Sequence, residues 1–572
     1  MAIFSKGDKS ETGHVENALD PISAASPVAT TNEDPEKARS VTTEDIHAEK
    51  NQAQGRTQGM DAAMEFLAMH GDGEDITDEE NRAVRWKIDS RLMPMMMCIY
   101  FLQQLDKASL SYSSVFGIRA DANLVGQDYS WLSSIVYFAQ LLFQPLSVYA
   151  LVRMPVNVWV SICFCTWGAL EALLAAAHNF AGLAVVRFLL GGAEASISPT
   201  FIIITSMWWS RREQPLRMNI WYSMNGMSQI LGSLLCYGLG HIKSDKLKPY
   251  QIIFLTCGLL TLACAIPISL MFPSRPTKAR FLNDNQKRIA LERVRHNNTG
   301  TQNTEFKWSQ VIEALTDPKS WLWTFMIFCI SLVSGGISSF GPLILQGFGL
   351  SSFQTILYNM IPGAIAIVSN MLSAYAVMHF KRKSIVLFVV SLFPLAGASA
   401  LYALPHTTEN KHTLLAVYFI LQVYNCVTSL IFSWQAANTA GHTKKTTTTG
   451  MILVGLCTGN IVGPQLYQAK DAPQYHRGLI ANMICLIMLS AFVVIQGLYL
   501  AYLNRRNVKR RIANGKSGEV VDYSLEASSK WAGMRAKQAE KDAAEGGATQ
   551  NHTSQAFMDL TDLQNEDFVY SI

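Results

Sequence analysis

About twelve apolar runs, each near the ~20 residues a helix needs to cross a bilayer core of roughly 30 Å, dominate residues 92–503. Lipid offers no partner for a backbone N–H or C=O, so each run has to satisfy its own backbone as a helix. The runs are 92–116, 129–151, 157–177, 180–207, 216–239 and 250–272, then 321–346, 353–378, 384–404, 413–437, 446–467 and 478–503. They are numbered spans 1 to 12 below. Only 16% of the 572 residues are charged, against about 25% in soluble chains. The charges gather at the two ends and in one central segment.

This pattern predicts an all-α membrane protein with twelve transmembrane helices in two six-helix bundles. Residues 1–90 read as a cytoplasmic, largely disordered tail, with short amphipathic stretches at 61–70 and 79–87. Residues 91–272 form the first bundle, 273–320 a cytoplasmic central loop with a surface helix at 280–295, and 321–503 the second bundle. Residues 504–572 form a second disordered cytoplasmic tail. Two repeats of this kind place a site between them at mid-membrane.

Lysines and arginines near span ends set the orientation. One side holds Arg153, Arg211, Arg212, Arg217, the basic central segment, Lys381 to Lys383, Lys444, Lys445 and Arg505 to Arg511. The other holds Arg119, Lys243, Lys246, Lys248, Lys411, Lys470 and Arg477. The first side is richer, so both termini are expected in the cytoplasm, and the sequon Asn297-Asn298-Thr299 with them. No apolar stretch follows Met1, so no cleaved signal peptide is expected and span 1 acts as the insertion signal.

Charge within the apolar runs is costly, at least ~3 kcal/mol on insertion scales, and points to function. Span 1 carries Asp106-Lys107, with Asp106 roughly 20 Å in from the start of the run. Span 4 carries Arg187 and Glu194, seven residues apart and therefore on one face, about 10 Å from each other. The two spans run in opposite directions, so two acids and two cations meet near the midplane. An organic carboxylate entering this set leaves it one charge too negative, and one proton on Asp106 or Glu194 restores balance. Burial penalises the charged form of a carboxyl, which makes such protonation accessible near neutral pH. The competing reading is structural: an Arg187–Glu194 ion pair and a packing clamp at Asp106-Lys107. Glu171 in span 3 falls in the outer half near His178, an interfacial anchor or a proton relay.

Weaker signals are amides at Asn225 and Gln229 in span 5, Ser433 and Trp434 in span 10, and Asn460 in span 11. Each can line a substrate path, but buried amides more often join helices, and for Trp434 core packing is the stronger reading beside stacking on a flat substrate. Gly191-Gly192 reads as a close-packing site. Pro199, Pro342, Pro362 and Pro464 are expected to kink their helices. All ten cysteines fall inside apolar runs, against a disulfide framework or a metal cluster. No phosphate-binding glycine loop, metal-ligand set or nucleophile constellation is present, which argues against an ATP-driven pump and against an enzyme. A net charge of +4 gives no reason to expect nucleic acid.

The run RFLLGGAEASISP, followed by MWWSRREQPLR, resembles the anion:cation symporter family of the major facilitator superfamily. FLQQLDKASLSYSSVFGI, AAAHNFAGLAVVRFLLG, SFGPLILQGFG and TGNIVGPQLYQ support the likeness over roughly residues 92–503, and the fungal allantoate permease group is the nearest in pattern. The resemblance implies two bundles working by alternating access. It gives Asp106 and Glu194 proton-coupling roles, and Lys107 and Arg187 roles in substrate binding. Ser433, Trp434 and Asn460 fall near substrate-contacting positions of the second bundle. Lys107 stands where the family carries an arginine, exchanging a bidentate fork for a point charge. The loop YALVRMPVNVW after span 2 lacks the superfamily's glycine, aspartate and paired basic residues, and MHFKRKS after span 8 lacks the aspartate.

The expected function is proton-coupled uptake of a small organic anion such as allantoate, ureidosuccinate or nicotinate. The setting is a monomer in the plasma membrane, with protons and the bilayer as its other partners and no cofactor. A proton-antiport exporter of an acidic metabolite is one alternative; SMNGMSQILGS in span 5 has glycines but not the proline of drug-type antiporters. A nutrient receptor with little transport is the other.

Overall fold

The computed structural model describes residues 77–209, 213–242, 244–295, 307–405, 410–472, 474–514, 560–566 and 568–572. The N-terminal tail to residue 76 with its 61–70 stretch, Arg211, Arg212, Lys243, the Asn297-Asn298-Thr299 sequon and residues 515–559 lie outside the described residues. Every regular element described is helical.

Nine of the described helical segments are long and apolar enough to cross a membrane by length and composition. Spans 1, 5 and 11 fall short of that measure for identifiable reasons. Span 1 lies in Asp78–Val115 and carries Asp106-Lys107. The second helix of span 5, Met224–Gly240, has 17 residues. Span 11, His442–Gln465, opens on two lysines and a run of threonines.

Span 1 begins earlier than the apolar run implies. Thr77 and Glu80 form a capping box, each accepting the other's backbone N–H at 3.3 Å. Residues 78–90 are therefore helix, which takes in the amphipathic stretch expected at 79–87. Asp89 anchors that extension by accepting from Arg217 Nη2 at 2.6 Å and Trp209 Nε1 at 2.7 Å.

Span 4 is two helices, Phe180–Glu194 and Ile197–Trp208. Pro199 has no N–H to give the Ala195 carbonyl and crowds it, so the helix breaks one turn before the proline. The break leaves Glu194 at a helix end. Span 8 breaks likewise at Asn359, ahead of Pro362, between Ser352–Tyr358 and Met360–Phe380. Pro342 and Pro464, by contrast, lie inside unbroken helices, Pro318–Gly347 and His442–Gln465.

Within the first bundle span 2 packs on span 4, span 3 on span 6, and span 1 on spans 5 and 6. The second bundle repeats this with spans 7 and 11, and 9 and 12. Spans 2 and 11, and spans 5 and 8, join the bundles. The expected close-packing role of Gly191 holds: a Cβ there would strike the Val136 carbonyl of span 2.

Hydrogen bonds between the bundles lie in the half remote from the termini. Ser111 Oγ donates to the Ser338 carbonyl at 2.6 Å, Tyr129 Oη to the Ser339 carbonyl at 2.7 Å, and Ser134 Oγ to the Ile461 carbonyl at 2.7 Å. Phe116 and Phe353 add a ring contact with centroids 5.8 Å apart. Nearer the middle, spans 5 and 8 approach backbone to backbone, where a Cβ on Gly226 would lie 2.6 Å from the Gly363 carbonyl. On the termini side of that contact Tyr222, Asn225, Ile367, Asn370 and Asn425 line a crevice.

The chain past residue 503 also departs from expectation. Span 12 continues as helix to Ala513, and residues 560–572 fold back onto the termini-side ends of spans 7, 9, 10, 11 and 12. Asp562 is fully buried and bridges Lys319 and Lys444, the latter at 3.1 Å. Asn504 and Tyr570 exchange two hydrogen bonds of 2.8 and 2.9 Å. The Lys383 N–H donates to the Ile572 carbonyl at 2.9 Å. An expectation drawn from polarity alone missed the apolar anchors Leu563, Phe568, Tyr570 and Ile572, all packed against the core.

Candidate functional site

Asp106, Lys107, Arg187 and Glu194 do converge within the first bundle, with Glu171 added to them. Asp106 and Glu194 are buried to within 1% of complete, and Arg187 is 3% exposed. One oxygen of Asp106 accepts from Trp167 Nε1 at 2.5 Å and from Thr261 Oγ1 at 3.0 Å. Its Oδ1 has no partner among the described residues. Spans 3 and 6 thus hold the carboxyl from behind and leave one oxygen available.

Glu194 pairs with Lys107 rather than with Arg187. Its Oε2 lies 3.4 Å from Lys107 Nζ and accepts from Gln140 Nε2 at 3.2 Å. Oε1 is unpartnered among the described residues. Gln103, one turn before Lys107, donates to the Glu194 carbonyl at 3.3 Å, a group left open by the helix break. Lys107 keeps a side chain 22% exposed and stands 6.0 Å from the centre of the Tyr137 ring. The structural alternative of an Arg187–Glu194 ion pair is therefore not the arrangement present.

Arg187 donates from Nη1 to the Leu132 carbonyl at 3.4 Å, while Nε and Nη2 have no hydrogen-bond partner among the described residues. A buried guanidinium has five N–H donors in a planar fork suited to a carboxylate. Its charged neighbours are Glu171 and Glu194. Glu171 is itself fully buried, and neither of its carboxylate oxygens has a partner among the described residues.

The remaining expected positions divide. Asn225 lines the crevice between spans 5 and 8. Gln229 packs at the Gly363 contact through its Cβ. Asn460 donates to the Leu456 carbonyl at 2.9 Å within its own helix and abuts Gly335, so it serves the packing of span 11 on span 7.

Ser433 and Trp434 have other contacts. They lie at the termini-side end of span 10, where Ser433 Oγ accepts from Lys383 Nζ at 3.3 Å. Trp434 is completely buried, packs edge-on against Trp323 with centroids 4.7 Å apart, and donates to the Ser571 carbonyl at 2.8 Å. Neither faces the charged set. Span 10 runs toward the termini, so twenty residues from its start is about 30 Å, a full crossing rather than half of one.

Sequence reasoning does not single out four supporting residues: Gln140, Thr261 and the Trp167 indole donate to the acids, and Gln103 donates to the Glu194 main-chain carbonyl. The two glutamines could have been found by the rule that singled out the charges, because polar groups inside an apolar run seek partners there. Trp167 and Thr261 carry no comparable signal.

A family model described as Major Facilitator Superfamily matches residues 96–464. An uncharacterized transporter of Schizosaccharomyces pombe is 35% identical over 460 residues, covering 80% of this chain and 87% of its own length. The allantoate permease of Saccharomyces cerevisiae is 32% identical over 523 residues, covering 90% of both chains. Among solved structures, a bacterial homologue of the human lysosomal transporter Spinster, inward-facing and occupied, superposes with a TM-score of 0.55. It shares 15% identity and covers 71% of this chain and 96% of its own.

Proposed function

The chain belongs to the Major Facilitator Superfamily, a family of secondary transporters rather than enzymes, and from that premise we propose that it moves a small organic anion together with a proton. One observation carries the proposal. Arg187 is buried with two unpartnered guanidinium nitrogens beside Glu194, and Glu194 and its neighbour Asp106 each keep an unpartnered oxygen among the described residues. A carboxylate from the substrate supplies acceptors for the guanidinium, and a proton gives one of the acids a donor. Each ligand thereby removes a cost that the other would leave in place.

In this scheme Lys107 and Arg187 bind the anion, and Asp106 and Glu194 carry the proton. Asn225, with Gln229 behind it, borders the route between spans 5 and 8. The bundles are closed on the side remote from the termini. The excess of basic residues on the termini side supports placing that side in the cytoplasm, so the arrangement is the inward-facing one. Similarity to allantoate permease makes allantoate the first substrate to try, with ureidosuccinate and nicotinate after it, and the plasma membrane the expected site.

Purified protein in liposomes, loaded at one pH and diluted into another, tests the reading. Labelled allantoate, ureidosuccinate or nicotinate should accumulate when the gradient runs inward and not after its collapse by a protonophore. Accumulation driven only in the opposite direction favours the exporter. Accumulation indifferent to the gradient removes the coupled mechanism.

A further inference from the structure

Glu171 takes no part in the scheme above, yet it is the most exposed to penalty of all the buried acids. Its side chain is completely shielded from solvent, and neither carboxylate oxygen accepts a hydrogen bond among the described residues. Leaving an ionised carboxylate in that condition is more costly than leaving a neutral acid. The backbone around it is fixed. A Cβ on Gly258 of span 6 would strike the Ala172 backbone, and Gln251 Nε2 donates to the Ala175 carbonyl at 2.7 Å. Glu171 therefore cannot leave the interior by moving its helix, and only its side chain is free to turn.

The groups around it are few. Span 4 contributes Arg187 and Glu194, span 1 contributes Asp106 and Ser109, whose hydroxyl donates to the Asp106 carbonyl at 2.6 Å, and span 6 contributes the Cys257 thiol. Tyr129 and Tyr137 of span 2 stand near Arg187. Arg187 is the cation among these neighbours with unused donors, and Lys107 is engaged with Glu194.

We propose that Glu171 is the alternate partner of Arg187, holding the guanidinium when ionised and releasing it to an organic anion when protonated. The two partners compete for the same Nε and Nη2 donors, so the pairings exclude each other. Glu171 is thus a positioning residue that reports proton occupancy to the anion site without touching the substrate. This deepens the proposed symport and rests on it for the identity of the competitor.

The consequence is a pH dependence with a definite sign. As pH rises through the titration of Glu171, the carboxylate captures Arg187 and anion affinity falls. One linked proton makes this as steep as tenfold per pH unit. Glu171→Gln cannot ionise, so in that variant the decline becomes shallower by up to that factor and alkaline affinity rises above wild type. Glu171→Asp keeps the acid and restores a decline.

Equilibrium binding of labelled allantoate to the purified full-length protein, from pH 5 to 9, measures this directly. Equal slopes for wild type and Glu171→Gln overturn the proposal. A second measurement needs no substrate: the infrared carbonyl band of a buried protonated carboxyl. Its intensity at the acid end of the range should be lower in Glu171→Gln than in wild type, and the Glu171 band should persist to higher pH in Arg187→Gln, where the competing cation is gone. If Glu171→Gln leaves the band unchanged, or Arg187→Gln leaves its titration unchanged, the pairing is refuted even where allantoate binds. If allantoate fails to bind while the band behaves as stated, the substrate assignment falls and the Glu171–Arg187 switch stands.

Discussion

Lys107 of span 1 reaches Glu194 of span 4 at 3.4 Å, whereas Arg187, on the same helix as Glu194, leaves two nitrogens unengaged. One cation is spent on the protein's own acid and one is held in readiness. That division distinguishes two residues that the spacing of charges treats alike.

Lys107→Ala should weaken binding of the transported anion by about 30-fold or more, the equivalent of ~2 kcal/mol for truncating one member of a desolvated charge pair. Lys107→Arg should retain most of the affinity, because the charge survives and the fork can serve both Glu194 and the ligand. Equilibrium binding with labelled allantoate reads both. Unchanged affinity in Lys107→Ala would move the anion site elsewhere.

Glu194→Gln should abolish gradient-driven accumulation while exchange of labelled for unlabelled anion across the membrane continues. Exchange requires the carrier to turn over with substrate bound and makes no demand on a free proton site. The two assays run on the same liposomes. Undiminished accumulation by the variant would relieve Glu194 of any proton role.

Ser433→Ala and Trp434→Phe should leave anion affinity within about twofold of wild type. Trp434→Phe loses the hydrogen bond to the Ser571 carbonyl and should cost about 1 kcal/mol of stability in the second bundle, read as a lowered Tm of the purified protein. A large affinity loss without a stability loss would return these residues to the substrate path.

These two residues also mark where sequence reasoning stops. Charges inside apolar runs betray themselves because lipid makes them expensive, and Asp106, Lys107, Arg187 and Glu194 were legible for that reason. The order of the spans was legible from the apolar runs, nine of which are long and apolar enough to cross a membrane among the described residues. Which face of a helix turns inward was not: depth alone left Glu171 an interfacial anchor or a proton relay, and only the packing of span 3 on span 6 shows it enclosed. The partners that fix Trp434 were not legible because its neighbours in space are remote in sequence, Trp323 in span 7 and Ser571 in the final segment. The final segment was itself read as disorder, since its composition is polar and its few anchors are short and scattered.

Acid should loosen that segment. Burial raises the Asp562 carboxyl, but Lys319 and Lys444 outweigh it and hold the group below the ordinary aspartate value of about 3.9. Its contribution is therefore complete above that value and disappears as pH falls through the depressed one. Hydrogen exchange at Tyr570 and Ser571 should be slow and constant from pH 5 upward, after correction for intrinsic rates, and should accelerate below about pH 4. Asp562→Asn should show the loosened state at every pH, at a cost of ~3 kcal/mol for breaking a buried pair. Protection that is independent of Asp562 would mean the apolar anchors suffice.

Because residues 560–572 are held by contacts alone, a backbone cut anywhere between Asn514 and Leu560 need not release them. The excised stretch would behave as a tightly seated peptide subunit, co-purifying with a carrier that denaturing gels show as two pieces. The covalent link then serves to keep the local concentration of this final segment high.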